Sequence, residues 1–162
     1  MVDRARLPIA TAQVKENFDV KAGSAYIAIL FSLAGCGGTI EEKVQPVSLS
    51  SSDPREICVI ENSDVRHEFL EAYSRALSGK GLTVRMLPAE TSVGSCPLTS
   101  TYAANWRWDL ALYLAYANLK VYRNSRLVGE AMYNSLNAAA NTDKFINATS
   151  KIQKLTDQLF PG

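Results

Sequence analysis

The amino-acid sequence predicts an α+β fold: a two-layer sandwich with two helices on one face of a mixed β-sheet, in the order β-α-β-β-β-β-α. Three observations carry that expectation. A short β-branched run, an amphipathic helical stripe and a second apolar run follow one another, the pattern of a strand–helix–strand crossover. Period-two alternation then leads into two extended runs around a two-residue turn. A second amphipathic stripe closes the chain. The 162 residues are 47% hydrophobic and 20% charged, a globular composition that suits one domain.

Ile57-Cys-Val-Ile60 is β-branched and suits a buried strand. Asn62-Ser63-Asp64 offers an N-cap, and Val65, Phe69, Tyr73, Ala76 and Leu77 make one helix stripe that Gly79 and Gly81 stop. Leu82 to Leu87 alternates and is closed by Pro88, so the two strands are expected to be parallel and joined by a right-handed crossover. From Tyr102, the residues Tyr102, Ala104, Trp106 and Trp108 share one face, with Asn105, Arg107 and Asp109 on the other. Leu110 to Leu119 is rich in Ala and Leu, which favour helix. It reads as strand because it runs on through Tyr122 to Asn124-Ser125 and the extended run Leu127–Tyr133, a hairpin. The last helix is expected to be capped by Asn141, Thr142 or Asp143, to carry Phe145, Ile152, Leu155 and Leu159 on one stripe, and to end at Pro161.

Residues 1–35 read as a leader. After Lys21 an apolar run through Tyr26–Leu33 ends in small residues, the grammar of a secretory signal. Leu33-Ala34-Gly35-Cys36 resembles the bacterial lipobox. That resemblance implies cleavage before Cys36 and acylation of Cys36, an anchor of two or three chains that holds stably to a membrane. Gly rather than Asp at position 37 implies, by the same resemblance, export to the periplasmic face of the outer membrane. A spanning helix needs about 20 apolar residues; the charge-free stretch 22–40 nearly reaches that length, but Gly35, Gly37 and Gly38 weaken its end. Residues 1–19 mix both charges, and a start near Val20 would leave a compact basic-then-apolar signal. Residues 36–54, with Gly, Pro and four Ser, read as a flexible tether to a single domain at 55–162.

The set Ile57-Cys-Val-Ile-Glu-Asn62, Cys96, Thr101–Asp109 and Gly129-Glu-Ala-Met-Tyr133 is similar to the Sbal-type family of small uncharacterised Gram-negative lipoproteins. The resemblance spans about residues 56–160 and implies an envelope lipoprotein of α+β fold with no assigned activity. Where its relatives tend to have Gly in the hairpin turn, this chain has Asn124-Ser125.

Charge narrows the function classes. Seventeen basic against sixteen acidic residues give a net charge of +1, without the basic surplus of a nucleic-acid binder. Over 36–162 there are thirteen of each sign, so no net charge holds the domain to an anionic membrane. With Cys36 assigned to lipid, Cys58 and Cys96 remain, and an exported pair is expected to form a disulfide. Metal ligation has little material: there is no Cys-x-x-Cys, and His67 is the sole histidine. His67 reads as a solvated helix residue rather than a base.

The candidate binding residues are Trp106, Arg107, Trp108 and Asp109. The two Trp read first as core, the competing reading being an aromatic shelf for a glycan or lipid headgroup. Arg107 and Asp109 read as a same-face ion pair. The expected function is a non-enzymatic, membrane-anchored binding or scaffold module with an envelope protein or peptidoglycan as partner and no cofactor. The alternative is an accessory lipoprotein subunit of a transport or lipopolysaccharide-assembly machine. An enzyme ranks third, because no acid–base or nucleophile constellation presents itself.

Overall fold

The computed structural model describes residues 38–162. The leader, the start near Val20, Cys36 and Gly37 lie outside the described residues. Six strands and two helices follow in the order β1 (Glu41–Gln45), β2 (Glu56–Ile60), α1 (His67–Gly79), β3 (Thr83–Leu87), β4 (Leu98–Asp109), β5 (Ala111–Arg123), β6 (Arg126–Asn134) and α2 (Ala148–Leu159). They form an α+β fold with one mixed sheet of order β1-β6-β5-β4-β2-β3. From β2 onward the element order is β-α-β-β-β-β-α.

The parallel part is β3-β2-β4, with Ile57 beside Val84 and Cys58 beside Thr99. Helix α1 makes the crossover and buries Phe69, Ala72, Tyr73, Ala76 and Leu77, the stripe that its spacing encodes. Gly81 reverses the chain at its end with φ +75°, a conformation that glycine adopts without steric cost. The antiparallel part is β4-β5-β6-β1. The Asn124-Ser125 turn has φ +48° and +67°, the doubly left-handed geometry whose twist matches a hairpin.

Both helices bury their apolar sides in one core with the inward residues of the sheet: Ile57 and Val59 of β2, Leu98 and Tyr102 of β4, Leu119 and Val121 of β5, Ala131 and Tyr133 of β6. Among the described residues, the opposite face of the sheet carries no helix. A disulfide joins Cys58 of β2 to Cys96, which precedes β4. The Arg85 guanidinium lies over it, with Nη2 2.8 Å from Cys96 Sγ and Nε 3.1 Å from Glu56 Oε1.

Three local expectations are corrected. Residues 41–47 are not a flexible tether: β1 pairs antiparallel with β6, Glu41 opposite Asn134, and Val47 is buried. Glu-Glu-Lys-Val-Gln holds a single apolar residue, so an edge strand with little to bury carries almost no hydrophobic signal. Val47 reaches the core because Gly129 has no Cβ; one built there would fall 2.2 Å from Val47 Cγ2.

Asn62-Ser63-Asp64 does not cap α1. Arg66 holds the N-cap position without a side-chain bond, while Asn62 turns the chain by accepting from the Asp64 N–H and donates through Nδ2 to the Tyr102 carbonyl. The final helical stretch is two pieces. Asn141 caps a 3₁₀ turn, Thr142–Phe145, and Asn147 caps α2 by accepting from the Ser150 N–H. Phe145 therefore stands off the α2 stripe and is half-exposed.

Lys151, only 5% exposed, ties α2 to β1 through Glu42, which also accepts from Lys154 at 2.9 Å. Partial burial pushes the Glu42 carboxyl up, and the two lysines more than reverse this, leaving it below the ordinary carboxylate value. A depressed folded-state value stabilises the fold above the ordinary carboxylate range, and the contribution is lost as pH falls through it. Glu42→Gln strands the Lys151 ammonium and is expected to lower stability by about 1–3 kcal/mol at neutral pH. Denaturation curves against pH should show the variant and the native chain converging below about pH 4. The disulfide closes a loop between positions 38 apart. Replacing both Cys58 and Cys96 by Ala is expected to cost about 4 kcal/mol in urea denaturation, the chain entropy that this loop withholds from the unfolded state.

Candidate functional site

Two surfaces follow from this architecture: the hairpin tip where β4 turns into β5, and the sheet face that carries no helix among the described residues. β4 and β5 pair from Leu98–Arg123 to Asp109–Ala111, with a bulge at Asn105/Trp106. Leu110 alone makes the turn, at φ +59°. Trp106 is half-buried against the core, edge-on to Phe69 at 6.0 Å, with the Arg66 guanidinium 5.4 Å from its ring centre. Two residues on, Trp108 is 74% exposed.

The alternation is as the sequence predicts, and the burial is not. Trp106 and Trp108 share a face, but the helix layer ends beside Trp106, so Trp108 and its cross-strand partner Leu112 overhang it. Trp108 is therefore not a core residue. Arg107 and Asp109 do not pair. Asp109 accepts from Lys144, whose side chain is 4% exposed, and Arg107 forms no ion pair among the described residues. Lys144 also donates to the Ala139 carbonyl and lies 5.5 Å and 5.3 Å from the ring centres of Tyr113 and Phe145. This clamp was illegible in the sequence, because 35 residues separate Lys144 from Asp109.

On the open face, Lys43 and Gln45 of β1, Tyr116 and Asn118 of β5, and Glu130 and Met132 of β6 line a shallow depression of about 330 Å³. Asn118 is its centre. Its Nδ2 donates to Glu130 Oε1 at 2.9 Å and to Tyr116 Oη at 3.2 Å. Because a carboxylate only accepts, Glu130 fixes which end of the amide faces it. Asn118 Oδ1 is thereby left buried without a hydrogen-bond partner in the structure. Lys120 stands 3.7 Å from the same carboxylate. The depression thus offers a carboxylate and an aromatic wall. Sequence reasoning missed it, although residues 116, 118, 130 and 132 fall on the outward phase of their strands.

A second concavity, at the C-terminal ends of β2 and β3, is lined by Glu61, Asn62, Ser63, Asp64, Glu90 and Tyr102 among others. Here the Tyr102 hydroxyl accepts from the Asn62 N–H at 3.1 Å, and burial pushes its phenol up. His67 is exposed and sits 3.3 Å from Glu71 one turn along α1, an ordinary surface pair. Among the described residues no group of three or more metal-ligand side chains gathers, and no helix is long and apolar enough to cross a membrane.

No protein-family model matches the chain, and no curated protein does. Among solved structures the fold is similar to PelC from Paraburkholderia phytofirmans, solved as a dodecamer. The TM-score is 0.50 at 17% identity, over 76% of this chain and 99% of that one. A point variant of the same PelC, also a dodecamer, gives 0.49 at 18% identity, over 75% and 97% of the two chains. At that identity the likeness is one of fold.

The two Trp residues separate core from surface by measurement. Trp106→Ala is expected to cost about 2–3 kcal/mol, somewhat less than a fully buried Trp. Trp108→Ala should stay within about 0.5 kcal/mol of the native chain. Thermal melts of the two variants check both; an equal loss at Trp108 would restore it to the core.

Proposed function

We propose that this chain is a lipoprotein of the bacterial envelope, acylated at Cys36 and held at the periplasmic face of the outer membrane. Its domain acts as a non-enzymatic module that binds an envelope partner on the open face of the sheet. The observation that carries the binding role is the depression between β1, β5 and β6, in which the Asn118 amide holds the Glu130 carboxylate and the Tyr116 hydroxyl side by side. Tyr116 offers a ring face for a sugar, and Glu130 a carboxylate acceptor for its hydroxyl or amide donors. Peptidoglycan supplies hydroxyl and amide donors together, and it lies within reach of a domain anchored at that membrane. The Cys58–Cys96 bridge supports an oxidising compartment, where such pairs persist.

Two measurements test the reading. Growth with a radioactive fatty acid should label the native chain and leave Cys36→Ser unlabelled; equal labelling would remove the anchor. Sedimentation with purified peptidoglycan should retain the native chain, and Asn118→Ala should weaken retention roughly tenfold, the equivalent of one hydrogen bond of about 1.4 kcal/mol. Undiminished retention would move the binding role off this face. Co-purification with an outer-membrane β-barrel in place of peptidoglycan would favour an accessory subunit of a transport or lipopolysaccharide-assembly machine.

A further inference from the structure

The end of the β4–β5 hairpin carries an arrangement that neither the core nor the open face explains. Leu110 is 86% exposed and stands in the left-handed region at φ +59°. That conformation is strained for an L-residue without a compensating polar side chain, and Asn or Gly would fill such a turn at less cost. Trp108 and Leu112 flank it, both exposed, and Phe145 and Ile146 are half-exposed on the neighbouring segment. Phe145 lies 5.5 Å from Tyr113 between ring centres. Tyr113 is cross-strand to Arg107, so Phe145 stands on the other face of the hairpin from Trp108 and Leu112. Three large apolar side chains, Trp108, Leu110 and Leu112, thus gather at the tip, on a turn whose backbone favours a different residue.

Charge at this end is arranged to match. The carboxylate of the tip, Asp109, is neutralised by Lys144. Arg107 beside it, and Arg66 over Trp106, have no carboxylate partner among the described residues. The tip therefore offers apolar side chains with guanidinium groups behind them, the sequence of polarity met on passing outward from acyl chains to phosphates.

The N-terminal end of the described chain lies on the same side. Gly38 runs so close to the 137–139 turn that a Cβ on it would fall 1.8 Å from the Asn137 carbonyl oxygen. The Ala139 carbonyl of that turn accepts from Lys144, the residue that holds Asp109. Cys36 precedes Gly38 by two residues, a reach of no more than about 7 Å.

We infer that the β4–β5 tip is a membrane-contacting element: Trp108, Leu110 and Leu112 seat in the headgroup–acyl boundary of the phospholipid bilayer that receives the Cys36 acyl chains. The inference rests on the proposed acylation for its choice of bilayer. The domain then holds a defined orientation at the lipid surface, with two contacts in place of a single swivel at Cys36. A second copy of the chain is the weaker occupant. The three side chains expose on the order of 400 Å², below the ~800 Å² per partner of a standard protein interface.

The test uses the full-length acylated chain in vesicles of phosphatidylethanolamine and phosphatidylglycerol whose acyl chains carry bromine, a contact quencher of indole. In Trp106→Phe, Trp108 is the sole tryptophan. Its emission is expected to be lost to the brominated lipid and to be shielded from aqueous iodide. If that variant folds poorly, Trp108→Tyr in the native background should remove the lipid-quenched part of the emission. Leu110→Asn relieves the backbone and should raise Tm by about 3–6 °C, while returning Trp108 to iodide.

Trp108 emission that iodide quenches and brominated lipid does not would overturn the inference. Emission shielded from both quenchers would overturn it too, since protein rather than lipid would then cover the tip. Fatty-acid labelling of the same preparation separates the two claims. A labelled, vesicle-bound chain with unquenched Trp108 leaves the anchor standing without the tip, and quenched Trp108 in an unlabelled chain leaves the tip without the anchor.

Discussion

A strand rises about 3.3 Å per residue and a helix about 1.5 Å, so elements of equal residue number differ about twofold in length. Helix α1 has 13 residues and so does β5; by those rises they are roughly 20 Å and 43 Å long. Two helices of this size cannot cover the central hairpin end to end. They cover its lower part, where Leu119, Val121, Ala131 and Tyr133 meet Phe69, Tyr73, Ile152 and Leu155, and they stop at Trp106. The exposed hairpin tip follows from that shortfall. The overhang becomes an apolar tip, and the far side of the sheet, which carries no helix among the described residues, holds the Asn118 depression.

The parts that the helices do not reach are held by charge. Lys144 and Lys151 are among the most buried polar residues of the domain, and each satisfies a carboxylate on a distant strand, Asp109 of β4 and Glu42 of β1. Their ammonium groups lie over rings, Lys151 Nζ 4.4 Å from the Tyr133 ring centre and Lys144 Nζ near Tyr113 and Phe145. A lysine can serve in this way because its chain buries like a hydrocarbon while its ammonium finds a partner at the boundary. One pair closes the edge strand against α2. The other fastens the segment after β6 to the hairpin near its tip. Each pair sits where apolar area is scarce, so neighbouring charge decides which segments stay docked.

Legibility along the sequence followed local signal strength. The Phe69, Tyr73, Ala76, Leu77 stripe and the β-branched run at 57–60 report their burial directly, because the helix and strand periods alone choose which residues face inward. The Asn124-Ser125 turn was readable because asparagine tolerates the left-handed conformation. The Leu110 turn was not, since a leucine there breaks the rule that marks turns. Strand β1 was hidden by polarity: an edge strand with one side chain to bury looks like a linker. The Asn118 depression escaped for a different reason, for it is assembled from three strands whose residues lie far apart in the chain.

What the sequence determined by itself was the class of fold, the order of elements from β2 to α2, and which residues share a face, because each depends on spacing within a few residues. Tertiary structure decided how far burial extends along a face. Trp106 and Trp108 have the same phase and opposite fates, one against Phe69 and the other in the open. No local pattern distinguishes them. The difference lies in where a helix more than thirty residues away begins, and that is set by the packing of whole elements against each other.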